Sequence, residues 1–262
     1  MTAPLVDLPA RYGLYRPDGR WEAVPSPVAL RPEQTAFLII DVYGVARPGR
    51  GDGSKESFWS PDHDDEKIRA VFDRIVPARE AARSVGMPIV YGTNSAPRVA
   101  LDHYEFWRQR TRNVDLSWRD IFLTPLTDPR EYEEGDSVEI RMDPEAGPQP
   151  GDYLHRKIAY SAFYETYTEV LLRNLGITTV IAAGFSTSEC LLGSVIDAMY
   201  RNFEVILLRD ATVGQELVED HEGGERFTDY MITWMETFAA RSVTAADFIT
   251  ACIAARDPHV AA

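Results

Sequence analysis

The chain has 262 residues, 45% hydrophobic and 26% charged, a balance that suits one or two folded domains and excludes disordered, collagen-like and disulfide-stapled classes. Its 27 Lys and Arg stand against 41 Asp and Glu, and the net charge of -14 repels nucleic-acid phosphates and anionic lipid surfaces at long range. The longest apolar runs, such as residues 36–40 and 205–208, are far shorter than the roughly 20 residues of a bilayer span.

Near Met1 no basic segment precedes an apolar stretch, since Pro4, Asp7 and Pro9 interrupt it, and Cys190 and Cys252 are too few for an exported disulfide framework. The expectation is a cytoplasmic protein that neither spans a membrane nor binds nucleic acid. Residues 1–34 hold six prolines (Pro4, Pro9, Pro17, Pro25, Pro27, Pro32) and predict an extended arm, neither a long helix nor a central strand. Tyr12, Tyr15 and Trp21 would pack it on its own domain or on a neighbouring subunit.

Residues 35–262 read as one domain. The unbroken apolar run 36–40, ending at Asp41, predicts a strand buried on both faces, followed by a Gly-rich loop over 44–53. Helical spacing over 66–85 stops at Gly86, and 88–91 gives the next strand, which completes a βαβ unit. Residues 94–152 form a long insertion, aromatic and basic at 103–112 and acidic and proline-rich at 124–150, with few regular elements expected. Beyond it come a strand at 153–158, a helix at 161–175 closed by Gly176, a strand at 179–183, a helix at 187–201, a strand at 203–208, and helices at 226–240 and 244–255. This alternation predicts an α/β fold: a doubly wound, mostly parallel sheet of Rossmann-like type with helices on both faces.

Ligands in such sheets bind outside the carboxyl ends of the strands, so the polar residues there are the ones to inspect. Asp41, Lys157 and the turn Gly184-Phe185-Ser186-Thr187-Ser188-Glu189-Cys190 qualify. On propensity alone Asp41 equally suits a turn, Lys157 a solvated strand end and Cys190 a buried small hydrophobe. Ser186 and Glu189 have capping-box spacing, which puts Cys190 in the first turn of a helix, where free amides and the dipole favour an anion. A thiol of pKa about 8.5 is only about 3% ionised at pH 7, whereas a value of about 6 makes it about 90% ionised. The same amides would hold the oxyanion formed when a carbonyl is attacked.

Asp41 closing an apolar strand, Lys157 in Lys-Ile-Ala-Tyr-Ser-Ala-Phe, Gly-Phe-Ser-Thr-Ser-Glu-Cys, then Asp197-Ala198 and Asp210-Ala211-Thr212 give the chain a pattern that resembles the isochorismatase-like cysteine hydrolases over residues 34–250. The resemblance implies that family's fold and an Asp41, Lys157, Cys190 triad. Asp41 would accept the thiol proton and return it to the leaving nitrogen, and Lys157 would stabilise the thiolate and position Asp41. It further implies a cis peptide at Phe185-Ser186 and an oxyanion hole from the Ser186 and Cys190 amides. Val42, Tyr43, Gly44 and Val45 replace the polar residues that many relatives carry after the aspartate. The Asp-x-His pair of the metal-dependent branch is absent and His221-Glu222-Gly223-Gly224-Glu225 lacks a zinc helix's second histidine, so no cofactor and no catalytic metal is expected. Isochorismatases proper cleave a vinyl ether without the cysteine, so Cys190 argues for amide hydrolysis.

Tyr43, Phe163, Phe106 and Trp107 are expected as pocket walls. Arg108, Arg110 and Arg112 suit either a substrate carboxylate or a solvated helix face. Gly49-Arg50-Gly51-Asp52-Gly53 lacks dinucleotide-binding spacing, and Cys252 reads as packing. The expected function is hydrolysis of a small ureido, carbamoyl or other linear amide through a thioester, with release of ammonia or an amine. The alternatives are an isochorismatase-type hydrolase of a carboxylated metabolite and a non-catalytic binding or scaffold relative. A homo-oligomer, dimer or tetramer, is the expected assembly.

Overall fold

The computed structural model describes residues 4–43, 65–96, 103–113, 138–139, 142–216 and 226–256. The Gly-rich loop at 44–53, most of the acidic stretch at 124–150, the side chains of Arg110 and Arg112, and the segment at 221–225 lie outside the described residues.

The sheet is built on β5 (Thr35–Ile40), β6 (Ile89–Ala96), β8 (Tyr153–Lys157), β9 (Thr179–Gly184), β10 (Glu204–Leu208) and β11 (Arg241–Val243), all parallel. Their spatial order, β8-β6-β5-β9-β10-β11, is 3-2-1-4-5-6 when they are counted along the chain. That is the doubly wound order, and its topological switch point falls between β5 and β9. Every residue of these two strands is buried, so neither shows polar alternation.

Of the six helices among the described residues, five flank the sheet. On one face α1 (Asp65–Ser84) packs with α6 (Ala245–Arg256) over Phe37, Ile39, Ile181 and Ile206. On the other, α3 (Thr168–Asn174), α4 (Cys190–Tyr200) and α5 (Arg226–Phe238) cover Leu38, Ile40, Val180 and Leu207. The remaining helix, α2 (Glu105–Asn113), lies in the insertion, where β7 (Val138–Glu139) also pairs antiparallel with the end of β6. No helix among the described residues is long and apolar enough to cross a membrane.

The proline-rich segment is extended and hydrogen-bonded into the body. β1 (Val6–Leu8) pairs with β4 (Val28–Leu30), and the hairpin of β2 (Arg11–Tyr15) and β3 (Trp21–Pro25) adds antiparallel strands beyond β11. Pro17-Asp18-Gly19 supplies the turn: Gly19 takes φ +84 and donates to the Arg16 carbonyl at 2.9 Å. Trp21 then meets Phe238 edge-on at 5.6 Å, so these aromatics pack on their own domain.

The helix expected over 161–175 begins only at Thr168. Ser161 Oγ accepts from the Phe163 amide at 3.0 Å, Thr166 Oγ1 accepts from the Thr168 amide at 3.2 Å, and Glu165 sits at φ 54. These local side-chain bonds compete with the helical ladder and hold the segment in turns.

Candidate active site

Asp41 follows β5 with φ 52, a left-handed conformation that a short polar side chain tolerates and that signals a functional constraint. Across the switch point, β9 ends at Gly184, where φ is +116 and an added Cβ would stand 2.0 Å from the Ile40 carbonyl oxygen. Only glycine lets the two strand ends approach this closely. The Phe185–Ser186 peptide is cis, and the turn leads into α4 with Cys190 as its first residue.

Three carboxyl-end side chains meet here. Lys157, the last residue of an otherwise largely exposed strand, is 0% exposed, Asp41 2% and Cys190 5%. The Lys157 ammonium donates to Asp41 Oδ2 at 2.8 Å and to Cys190 Sγ at 3.2 Å. It also reaches Asn94 Oδ1 at 2.6 Å and the Ala159 carbonyl at 3.3 Å. A lysine is buried so completely only when its charge and its three N–H groups are matched, and this arrangement matches them.

Asn94, at the carboxyl end of β6, was not among the residues singled out from the sequence. Its amide donates to Asp41 Oδ1 at 3.2 Å and to Tyr43 Oη at 2.9 Å, while its side-chain oxygen holds Lys157. The strand-end rule that flags Asp41 flags Asn94 as well, since it ends the run Ile89-Val90-Tyr91-Gly92-Thr93. Replacing Asn94 with Leu strips one acceptor from a buried ammonium. The expected result is a loss of about 1–3 kcal/mol in urea denaturation, with turnover lowered as the amine loses its fixed position.

Tyr43, expected as a pocket wall, is 1% exposed, and its hydroxyl donates to Asp41 Oδ1 at 2.7 Å. Burial and the neighbouring Asp41 carboxylate raise its phenol well above the ordinary value, so it remains a donor. Phe106 lies in α2 with its ring edge-on to Tyr160 at 4.7 Å, and Tyr160 rests close to Gly193 of α4. Trp107 is 2% exposed and meets Phe106 at 5.1 Å. Phe163, also expected as a pocket wall, is a core residue as well. Its ring is 3% exposed and packs on Phe203 at 5.8 Å, in the buried cluster that also holds Cys190. Arg108 forms an exposed ion pair with Glu105 at 3.4 Å, within the same helix.

The capping box is a correction. The N-cap is Glu189, without a side-chain cap bond, because the turn closes through main chain, the Glu189 amide donating to the Ser186 carbonyl at 3.0 Å. Instead α4 is anchored by Ser194, whose Oγ donates to the Cys190 carbonyl at 2.7 Å and accepts from the Ala162 amide at 3.0 Å. Among the described residues neither the Ser186 nor the Cys190 amide donates to a main-chain carbonyl.

The thiol differs most from expectation. Burial pushes the Cys190 pKa up, the Asp41 carboxylate pushes it further, and the Lys157 ammonium only partly opposes them. Burial and the Asp41 carboxylate thus both favour the protonated thiol, against the helix terminus and Lys157, which favour the thiolate. Burial alone would lower the Lys157 ammonium, but Asp41 and Cys190 outweigh it and raise it.

These shifts carry a sign. Above pH 9.0 the unfolded chain loses the Cys190 proton while the folded chain keeps it, so stability is full below that pH and falls as pH rises through the folded value. Cys252, pushed up to about 12 by burial, acts likewise, and Lys157 adds the same sign above 10.5. Urea denaturation at about pH 8, 9 and 10 is expected to show a fall approaching about 1.4 kcal/mol per pH unit per group. Cys190→Ala should reduce that slope; an unchanged slope would mean that the folded thiol is already ionised near pH 9.

A buried thiol, ammonium and carboxylate in contact at the switch point of a doubly wound sheet define the class, an α/β enzyme of the cysteine hydrolase type. The isochorismatase domain family matches residues 35–237, and the chain belongs to that family. The ureidoacrylate amidohydrolase RutB of Methylorubrum extorquens is 27% identical over 242 residues, covering 90% of this chain and 94% of the relative. RutB of Pseudomonas syringae pv. syringae is 25% identical over 260 residues, covering 95% and 96%. Among solved structures, a cysteine hydrolase from Pseudomonas syringae pv. phaseolicola aligns with a TM-score of 0.65 at 20% identity, over 86% of this chain and 95% of the other. An isochorismatase family protein from Desulfovibrio vulgaris aligns with a TM-score of 0.57 at 17% identity, over 87% and 99%. Both share the fold. Among the described residues, no group of three or more His, Cys, Asp and Glu side chains is placed to hold a metal ion.

Proposed function

We propose that this chain is an amidohydrolase that cleaves the C–N bond of a small ureido or carbamoyl-type linear amide through a Cys190 thioester. The observation that carries this reading is the contact of the Lys157 ammonium with both Asp41 and Cys190, at 2.8 and 3.2 Å. The relatives named ureidoacrylate amidohydrolases, matched over nine-tenths of the chain, support the substrate class.

Asp41 accepts the thiol proton as Sγ attacks the amide carbonyl, so no free thiolate need accumulate at rest. The tetrahedral oxyanion is held by the Ser186 and Cys190 amides, a contribution worth about 100-fold or more in such sites. Protonated Asp41 then gives its proton to the leaving nitrogen, and ammonia or an amine departs. Asp41 next removes a proton from water, the resulting hydroxide attacks the thioester carbon, the acid is released, and sulfur recovers the proton. Lys157 remains an ammonium throughout, opposing negative charge on whichever neighbour carries it. Tyr43 and Asn94 hold Asp41 in register, and Phe106 with Tyr160 forms an aromatic wall that limits water.

The test is ammonia release from ureidoacrylate, a carbamoyl amino acid, biuret and nicotinamide, with loss of isochorismate followed in parallel. Turnover of one or more of the first three well above nicotinamide is expected. Activity confined to isochorismate, or none on any of the five, would overturn the reading.

A further inference from the structure

A second crevice opens at the carboxyl end of the sheet, between α1 and α5 beyond β10, with a volume of about 780 Å³, the size of a small-molecule site. Asp41, Lys157 and Cys190 do not line it. Among the described residues its charged lining is Arg11, Lys67, Arg74 and Arg209 against Asp210 and Asp229. In a chain of net charge -14 these four cations stand together on one crevice wall.

The cations are not equivalent. Arg11 binds Glu236 at 2.9 Å, and Arg74 donates to the Asp210 carbonyl at 3.0 Å. Arg209 is partly buried, yet among the described residues it has no ion pair, and its guanidinium makes one long bond, to Ser242 Oγ at 3.4 Å. Burial first, and then the like charge of Arg11, lower its pKa, and the carboxylates of Glu236, Asp210 and Asp247 only partly oppose them. A planar guanidinium held beside a second cation, with most of its donors unused, is suited to a bidentate oxyanion.

The inner wall, Thr212, Val213 and Thr228, backs directly onto the nucleophile turn. Thr212 Oγ1 shares a hydrogen bond with Thr187 Oγ1 at 2.7 Å, and the Gly214 amide donates to Thr228 Oγ1 at 3.0 Å. Behind Gly214 lies Ser186 Oγ, buried and without a partner among the described residues. The crevice wall and the turn of Ser186 and Thr187 are thus joined by direct hydrogen bonds.

We propose that this crevice is a binding site for a small dianion, a dicarboxylate or phosphate, held by Arg209 with Arg11, Arg74 and Lys67 around it and separate from the thiol site. The test is isothermal titration of the full chain at low ionic strength with malonate and with inorganic phosphate. Saturable one-to-one binding of at least one probe is expected, and the probe that binds identifies the source of the anion. Arg209→Gln should weaken it by about 10-fold or more, Arg209→Lys should retain part of it, and Cys190→Ala should bind like the unaltered chain. Absence of saturable heat with both probes, equal binding by Arg209→Gln, or loss in Cys190→Ala would overturn the proposal. Because the readout is binding, it stands or falls independently of the amidohydrolase reading.

Discussion

Cys190→Ser is expected to lower ammonia release from the best ureido or carbamoyl substrate by on the order of 10⁴-fold or more, with little change in stability. The reason is chemical and local. The site already holds a thiol whose ionisation is opposed by burial and by Asp41, and a hydroxyl, far less acidic than a thiol, makes proton transfer to the same carboxylate harder still. The serine oxygen is also shorter and harder than sulfur, so it no longer spans the distance the chain sets for attack. Mass spectrometry of rapidly quenched enzyme should find an acyl adduct on Cys190 in the unaltered chain and none in the variant. Turnover by Cys190→Ser within about 10-fold of the original would remove the covalent mechanism.

The second large effect is on stability. Lys157→Met leaves the Asp41 carboxylate buried beside Cys190 without its cation, and breaking a buried pair in this way costs about 3–5 kcal/mol. Asp41→Leu leaves the ammonium in the same position. The double variant Asp41→Leu, Lys157→Met should recover much of the loss while remaining inactive, because replacing both partners removes the uncompensated charge. Urea denaturation of the four proteins gives the coupling directly. Additive losses in the double variant would mean that the two side chains do not depend on one another. The buried pair is thus expected to serve chemistry and to be held in place by the fold, adding little to stability by itself.

Much of this architecture is legible before folding. The apolar runs at 36–40 and 179–183 could only be strands covered on both faces, and the helices between them give the connections their handedness. The short strand carrying Lys157 was also readable, expected at 153–158 and found over Tyr153–Lys157. Less was readable where local chemistry competes with pattern. Residues 161–167 look helical by spacing, yet Ser161 and Thr166 turn their hydroxyls on neighbouring amides and hold the chain in turns. The Pro17-Asp18-Gly19 turn carries a hairpin signal that the density of prolines around it obscured.

The sequence by itself determined the order of the strands along the chain and three of the polar features that end them: Asp41, Lys157 and the turn before Cys190. Tertiary structure alone decided which of these meet. Order 3-2-1-4-5-6 sets β9 beside β5 although about 140 residues separate them, so Cys190 faces Asp41 across the switch point. It also set the surroundings that shift the thiol's ionisation, because these depend on burial and on which charges lie nearby in space, and a helix terminus read from sequence supplies neither. Phe163 shows the same limit: its packing on Phe203, about 40 residues away in the chain, is set by the fold and not by its nearness to Lys157 in sequence.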